Sequence, residues 1–127
     1  MNFRYARHTD DLEPLVKFYT EIVGLKQLGG FKNHSSYDRV FLGVPESKWH
    51  IEFTQSNETA KHKPDDDDLL VFYIKKEKEL DVISEKINKA GIQIVKSKNP
   101  FWNENGFEIK DPDGFSIVFS KMITNLK

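Results

Sequence analysis

Cysteine is absent from the 127-residue chain. That excludes a thiol nucleophile, a disulfide framework and any cysteine-held zinc or iron–sulfur centre. A surplus of charge is absent too. Lys and Arg number 19 against 20 Asp and Glu, a formal net charge of -1. A dedicated nucleic-acid binder carries a basic surplus or stripe, so no nucleic acid is expected as a partner. No apolar run approaches the ~20 residues that a membrane-spanning helix needs. The opening residues Met1, Asn2, Phe3, Arg4 and Tyr5 form no apolar signal core. No membrane partner is therefore expected, and the cytoplasm is the expected location. There is also no Gly-rich phosphate loop and no nucleophile elbow. What remains is a small domain long enough to bury about two-thirds of its surface without a staple. A small molecule is its expected partner.

Two helices are marked by spacing and by their ends. The first is expected over about residues 11–23. Thr9, Asp10 and Asp11 offer capping oxygens, and Pro14 sits in the first turn. Leu12, Leu15, Tyr19 and Ile22 recur at helical spacing, and Gly24 follows as the stop. The second is expected over about residues 79–90. Leu80, Ile83, Ile87 and Ala90 form its apolar face, and Gly91 ends it. Strands are expected at residues 3–7, 25–28, 38–43, 50–54, 69–74, 92–95, 106–110 and 115–120. Asp111-Pro112-Asp113-Gly114 is a turn, since Pro presets one dihedral and Gly accepts a positive one. Residues 31–37 and 99–106 read as aromatic-bearing loops. The run Asp65 to Asp68 reads as a solvated linker.

The order is β-α-β-β-β, an acidic linker, then β-α-β-β-β. That is an internal duplication. The expected fold is α+β: two paired βαβββ modules of about residues 1–60 and 69–122 in a single domain. Their strands make a curved mixed sheet with helices outside and a cupped inner face. Concave faces with a few polar groups are the default seats of small ligands.

These residues resemble a known group. Thr9-Asp10-Asp11-Leu12, Phe18-Tyr19 and Gly24-Leu25 are similar to the opening helix of the glyoxalase/bleomycin-resistance/extradiol-dioxygenase group, the vicinal oxygen chelate superfamily. Ala90-Gly91 and Asp111-Pro112-Asp113-Gly114-Phe115 are similar to its second half. The resemblance implies homodimers and, in the group's metalloenzymes, a divalent ion in the cup. Its ligands are His or Gln on the first strand and Glu on the last strand of each module. Carried over, the last-strand ligand of the first module is Glu52. The first-strand position falls on Arg4, which cannot bind a cation. In the second module the two positions fall near Leu69 and on Val118, both apolar. Glu52 is the only ligand retained at a family position, so no metal is expected.

The remaining candidates are read from the residues. Glu52 and His50 share a strand face by period two. A buried Glu52 needs a cation, and Arg4 and Arg7 on the first strand are the natural partners. Either arginine can also grip a ligand carboxylate or phosphate through a bidentate fork. His8 and His50 are further candidates for ligand contact, with structural hydrogen bonding as the alternative. His34 and His62 lie in polar loops. Phe101 and Trp102 are candidates to wall the cup and stack on a ligand, with loop anchoring as the alternative. Two functions follow. One is a glyoxalase/bleomycin-resistance-like domain that binds a small molecule without the usual metal. The other is a divalent-metal lyase, isomerase or dioxygenase using Glu52 with histidines.

Overall fold

The computed structural model describes residues 1–123. The chain divides into two compact units, residues 1–62 and from Lys63 onward. Each has its own sheet, and the α+β class holds. Among the described residues no helix is long and apolar enough to cross a membrane.

The first unit runs β1 (Phe3–His8), α1 (Leu12–Lys17), β2 (Lys26–His34), β3 (Tyr37–Gly43) and β4 (Trp49–Gln55). Its sheet order is β1-β4-β3-β2. β1 is parallel to β4, and the other pairs are antiparallel. Asp11 caps α1 by accepting from the Glu13 amide at 3.2 Å. One continuous α-helix is expected here, but α1 gives way to a π-helical turn, Phe18–Ile22. Phe18, Tyr19 and Ile22 follow Leu15 at helical spacing, face inward and are buried with Leu15, Leu42, Ile51 and Phe53. Gly24, at a φ of +90°, lets the Leu25 amide donate back six residues to the Tyr19 carbonyl, at 2.9 Å.

β2 is longer than expected. Expected over residues 25–28, it runs on through Gly29 and Gly30 with register shifts on either side. Gly30 is needed for contact: a Cβ there would lie 2.7 Å from the Arg39 carbonyl oxygen. The expected loop over residues 31–37 is thus mostly a hairpin. Its tip has positive φ at Asn33, Ser35 and Ser36, and Asp38 Oδ1 accepts from the Asn33 amide at 2.8 Å.

The second unit runs β5 (Leu69–Ile74), α2 (Glu77–Lys89), α3 (Pro100–Asn105), β6 (Gly106–Lys110) and β7 (Ser116–Lys121), with sheet order β5-β7-β6. Ile87 of α2, Ile109, Ile117 and Phe119 are fully buried. The strand expected at residues 92–95 is reduced to one bridge, Val95 to Glu108. The Ile92 amide donates instead to the Ile87 carbonyl at 3.1 Å. Just beyond, Asn103 Oδ1 accepts from the Ser97 amide at 2.8 Å, and its Nδ2 donates to the Ser97 carbonyl at 3.0 Å. The expected loop at 99–106 contains α3. Asn99 caps it by accepting from the Phe101 amide at 3.0 Å, and Pro100 follows in the first turn.

The Asp111 turn forms as expected, with Gly114 at a φ of +88° and Asp111 Oδ1 accepting from the Asp113 and Phe115 amides. In the acidic run, Asp66 lies 3.5 Å from Lys110 and Asp67 lies 3.4 Å from Lys98. Three of these four partners have largely exposed side chains, so the pairs add little stability.

Candidate functional site

Strand register decides which side chains meet. In β1, Arg4 lies beside His50 and Ala6 beside Glu52. In β3, Phe41 lies beside Glu52 on the other flank. Residues paired across a sheet share a face, so Arg4, His50, Glu52 and Phe41 collect on one side. The helix-facing side takes Ile51, Phe53 and Leu42. Ala6 has no side chain long enough to separate Arg4 from Glu52.

The cluster is well defined. The Arg4 guanidinium lies 3.4 Å from Glu52 Oε1, and its Nε donates to His50 Nε2 at 3.1 Å. The Glu52 side chain is 6% exposed and that of Arg4 51%. A buried carboxylate without a cation is costly, and Arg4 removes that cost. A guanidinium has five N–H donors. Two are used here, which leaves three on a half-exposed group. A neutral imidazole that accepts at Nε2 carries its proton on Nδ1, so His50 presents a donor on its other edge. Phe41 floors the cluster. Its ring centroid is 5.6 Å from the Arg4 guanidinium carbon and 5.6 Å from the His50 ring. Phe31, 53% exposed, meets Phe41 edge-on at 5.7 Å.

The sequence candidates separate. Arg4, His50 and Glu52 come together. His8 lies on the same sheet face, with its Nε2 3.1 Å from Ser56 Oγ. Arg7 does not join them. Three residues along a strand reverses the face, so Arg7 is buried on the helix side with its guanidinium 5.1 Å from the Phe53 centroid. The cation that Glu52 needs comes from Arg4, not Arg7. Phe101 and Trp102 lie in the second unit on α3, in mutual edge contact at 4.9 Å. His62 Nε2 donates to the His8 carbonyl at 2.9 Å.

Two groups of polar or aromatic residues escape the sequence reading. Phe41 is one. Its signal is the alternation Val40, Phe41, Leu42, which sends it to the face opposite the core. The other is in the second unit. Glu108, 3% exposed, accepts from Ser97 Oγ and Ser116 Oγ, each at 2.8 Å, and lies 3.5 Å from Lys110 Nζ. Glu108 pairs with Val118, as Phe41 pairs with Glu52. The duplicated positions thus exchange their carboxylate and apolar residues between adjacent strands. That exchange is invisible without the register.

A superfamily-type metal does not fit the first unit. Of the candidate donors, Glu52 and His50 are engaged by the Arg4 guanidinium and His8 by Ser56, and a metal ion beside Glu52 would meet a fixed positive charge. Among the described residues no three His, Cys, Asp or Glu side chains converge.

Comparison with known proteins places the chain. The family model of the YycE-like N-terminal domain matches residues 3–54, and that of the YycE-like C-terminal domain matches residues 67–121. The uncharacterised protein YycE of Bacillus subtilis is 43% identical over 117 residues, covering 91% of this chain and 84% of that protein. A crystal structure of a YycE protein of unknown function from the same organism superposes with a TM-score of 0.87, covering 98% of this chain and 93% of that one. Leishmania major glyoxalase I, 24% identical, has a TM-score of 0.72 over 93% of this chain and 84% of its own. An antibiotic binding protein from a Streptomyces species, 17% identical, has a TM-score of 0.70 over 97% and 96%. The chain belongs to the YycE-like family, within the vicinal oxygen chelate superfamily of glyoxalases and fosfomycin and bleomycin resistance proteins.

Proposed function

We propose that the protein binds a small molecule bearing a carboxylate or phosphate on the open sheet face of the first unit, with the Arg4 guanidinium in place of a metal ion. One observation carries this reading. At the family's first-strand ligand position stands an arginine, half-exposed and already fixed by Glu52 and His50. A fixed guanidinium loses little freedom when it binds an oxyanion, and it binds one through a planar fork. His50 adds a donor, and Phe41 and Phe31 add flat apolar surface. That an antibiotic binding protein shares the fold supports a small-molecule reading.

The test is a thermal-shift screen of carboxylates and phosphates at low salt. A ligand that binds only the folded state must raise the melting temperature. The account expects anionic members to raise it and neutral isosteres to leave it unchanged. Arg4→Gln should weaken the best anion by roughly tenfold or more, the scale of one charge-assisted contact. A hit equally strong in Arg4→Gln would remove the arginine from the site.

A further inference from the structure

We infer that Arg39 is a second anion anchor on the same sheet face, so that the ligand carries two acid groups at opposite ends of a flat apolar body. This inference rests on the Arg4 site argued above and adds the ligand's second charge to it.

Arg39 pairs with Thr54 in β4 and with Phe31 in β2. It is two residues from Phe41, so it lies on the face that holds Arg4, His50 and Glu52. Its guanidinium sits over the Tyr37 ring at 5.6 Å. Among the described residues it has no carboxylate partner, and its Nε is buried without an acceptor. Arg4, by contrast, spends two donors on Glu52 and His50. Asp38, the neighbouring acid, points to the other face and accepts from Asn33.

The charge on this face is unequal. Lys26, beside Gly43, joins Arg4 and Arg39, and among the described residues of these four strands Glu52 is the one carboxylate on their face. An anion of two charges restores the balance; one charge does not.

The separation sets the ligand's length. Arg4 is level with His50 and Gly43, and Arg39 is level with Thr54. Four residues along a strand span about 13 Å, and two strand spacings about 10 Å, so the Cα atoms are on the order of 16 Å apart. Between them lies Glu52, already held by Arg4, with Phe41 beside it on β3; Phe31 lies beyond Arg39 on β2. An acid on one end only would reach one arginine. Acids on both ends of one or two aromatic rings reach both and lay a ring against Phe41.

The experiment compares biphenyl-4-carboxylate with biphenyl-4,4′-dicarboxylate by isothermal titration at low salt. The diacid should bind roughly tenfold more tightly or better. Arg39→Gln should erase that advantage and leave the monoacid unchanged, whereas Arg4→Gln should weaken both. Lys32→Gln, one residue from Phe31 and hence on the opposite face, is the charge control and should change neither. Equal affinity for the two acids overturns the second anchor and leaves the Arg4 site standing. So does an advantage that survives Arg39→Gln or falls equally in Lys32→Gln. No binding of either acid overturns both.

Discussion

Phe53→Ala should destabilise the protein by about 4 kcal/mol, the scale of a large-to-small change at a fully buried aromatic. Phe53 has no exposed surface, and its ring centroid lies 5.0 Å from that of Tyr19, itself fully buried. Truncation removes the ring from a packed layer that cannot close over it. A second cost comes from Arg7, 6% exposed, whose guanidinium lies 5.1 Å from the Phe53 centroid. A desolvated cation over a ring gains about 2 kcal/mol from it, and the alanine variant forfeits that contact. Phe53→Leu, which keeps most of the volume, should cost less than half as much. Equilibrium unfolding in urea measures both. If the alanine variant lost under 1 kcal/mol, the packing described for the first unit would be wrong.

Gly106→Ala should cost about 3 kcal/mol or more, at the upper end for overpacking. The reason is contact, not dihedral freedom. Gly106 opens β6 opposite Ser120 of β7. A Cβ there would collide with the Phe119 carbonyl oxygen and lie 2.8 Å from its carbonyl carbon. Both are backbone atoms, so no rotamer change relieves the clash, and the strands must separate. Gly24→Ala makes the useful contrast. Its Cβ meets nothing within 4 Å, but its φ is +90°, so it costs about 1 kcal/mol from the left-handed conformation alone. Comparable losses for the two would contradict the β6–β7 register.

The parts of the fold that were legible are those where local chemistry and periodicity agree. Both helix stops were, because the apolar stripe and the glycine point the same way at Gly24 and Gly91. Asp111-Pro112-Asp113-Gly114 was, because each residue suits its turn position. Elsewhere tertiary contacts prevailed. The strand expected at residues 25–28 runs on through Gly29 and Gly30, because a strand can pass through glycine where another backbone comes close. Asn99 and Pro100 carry a cap and first-turn signal that the surrounding aromatics concealed. The strand expected at residues 92–95 keeps only the Val95–Glu108 bridge, and the Ile92 amide is turned back to the Ile87 carbonyl of the preceding helix, a choice that no periodicity records.

The candidate site shows the same division. His50 and Glu52 share a face by strand period alone, and a first-strand arginine was needed for a buried carboxylate. Choosing Arg4 over Arg7 requires the parity of β1 against β4, and that depends on pairing. Phe41 and Arg39 required the pairing of β3 with β4. Glu108 was missed because its duplicated counterpart, Phe41, is apolar.

The central claim is that a guanidinium occupies the place of a metal ion beside Glu52. Elemental analysis of the full chain, purified without chelator and incubated with nickel, zinc, iron(II) or manganese before desalting, tests it most directly. The account predicts no stoichiometric metal in the wild-type chain and none in Glu52→Ala. One equivalent of a transition metal retained by the wild-type chain and lost in Glu52→Ala would contradict it.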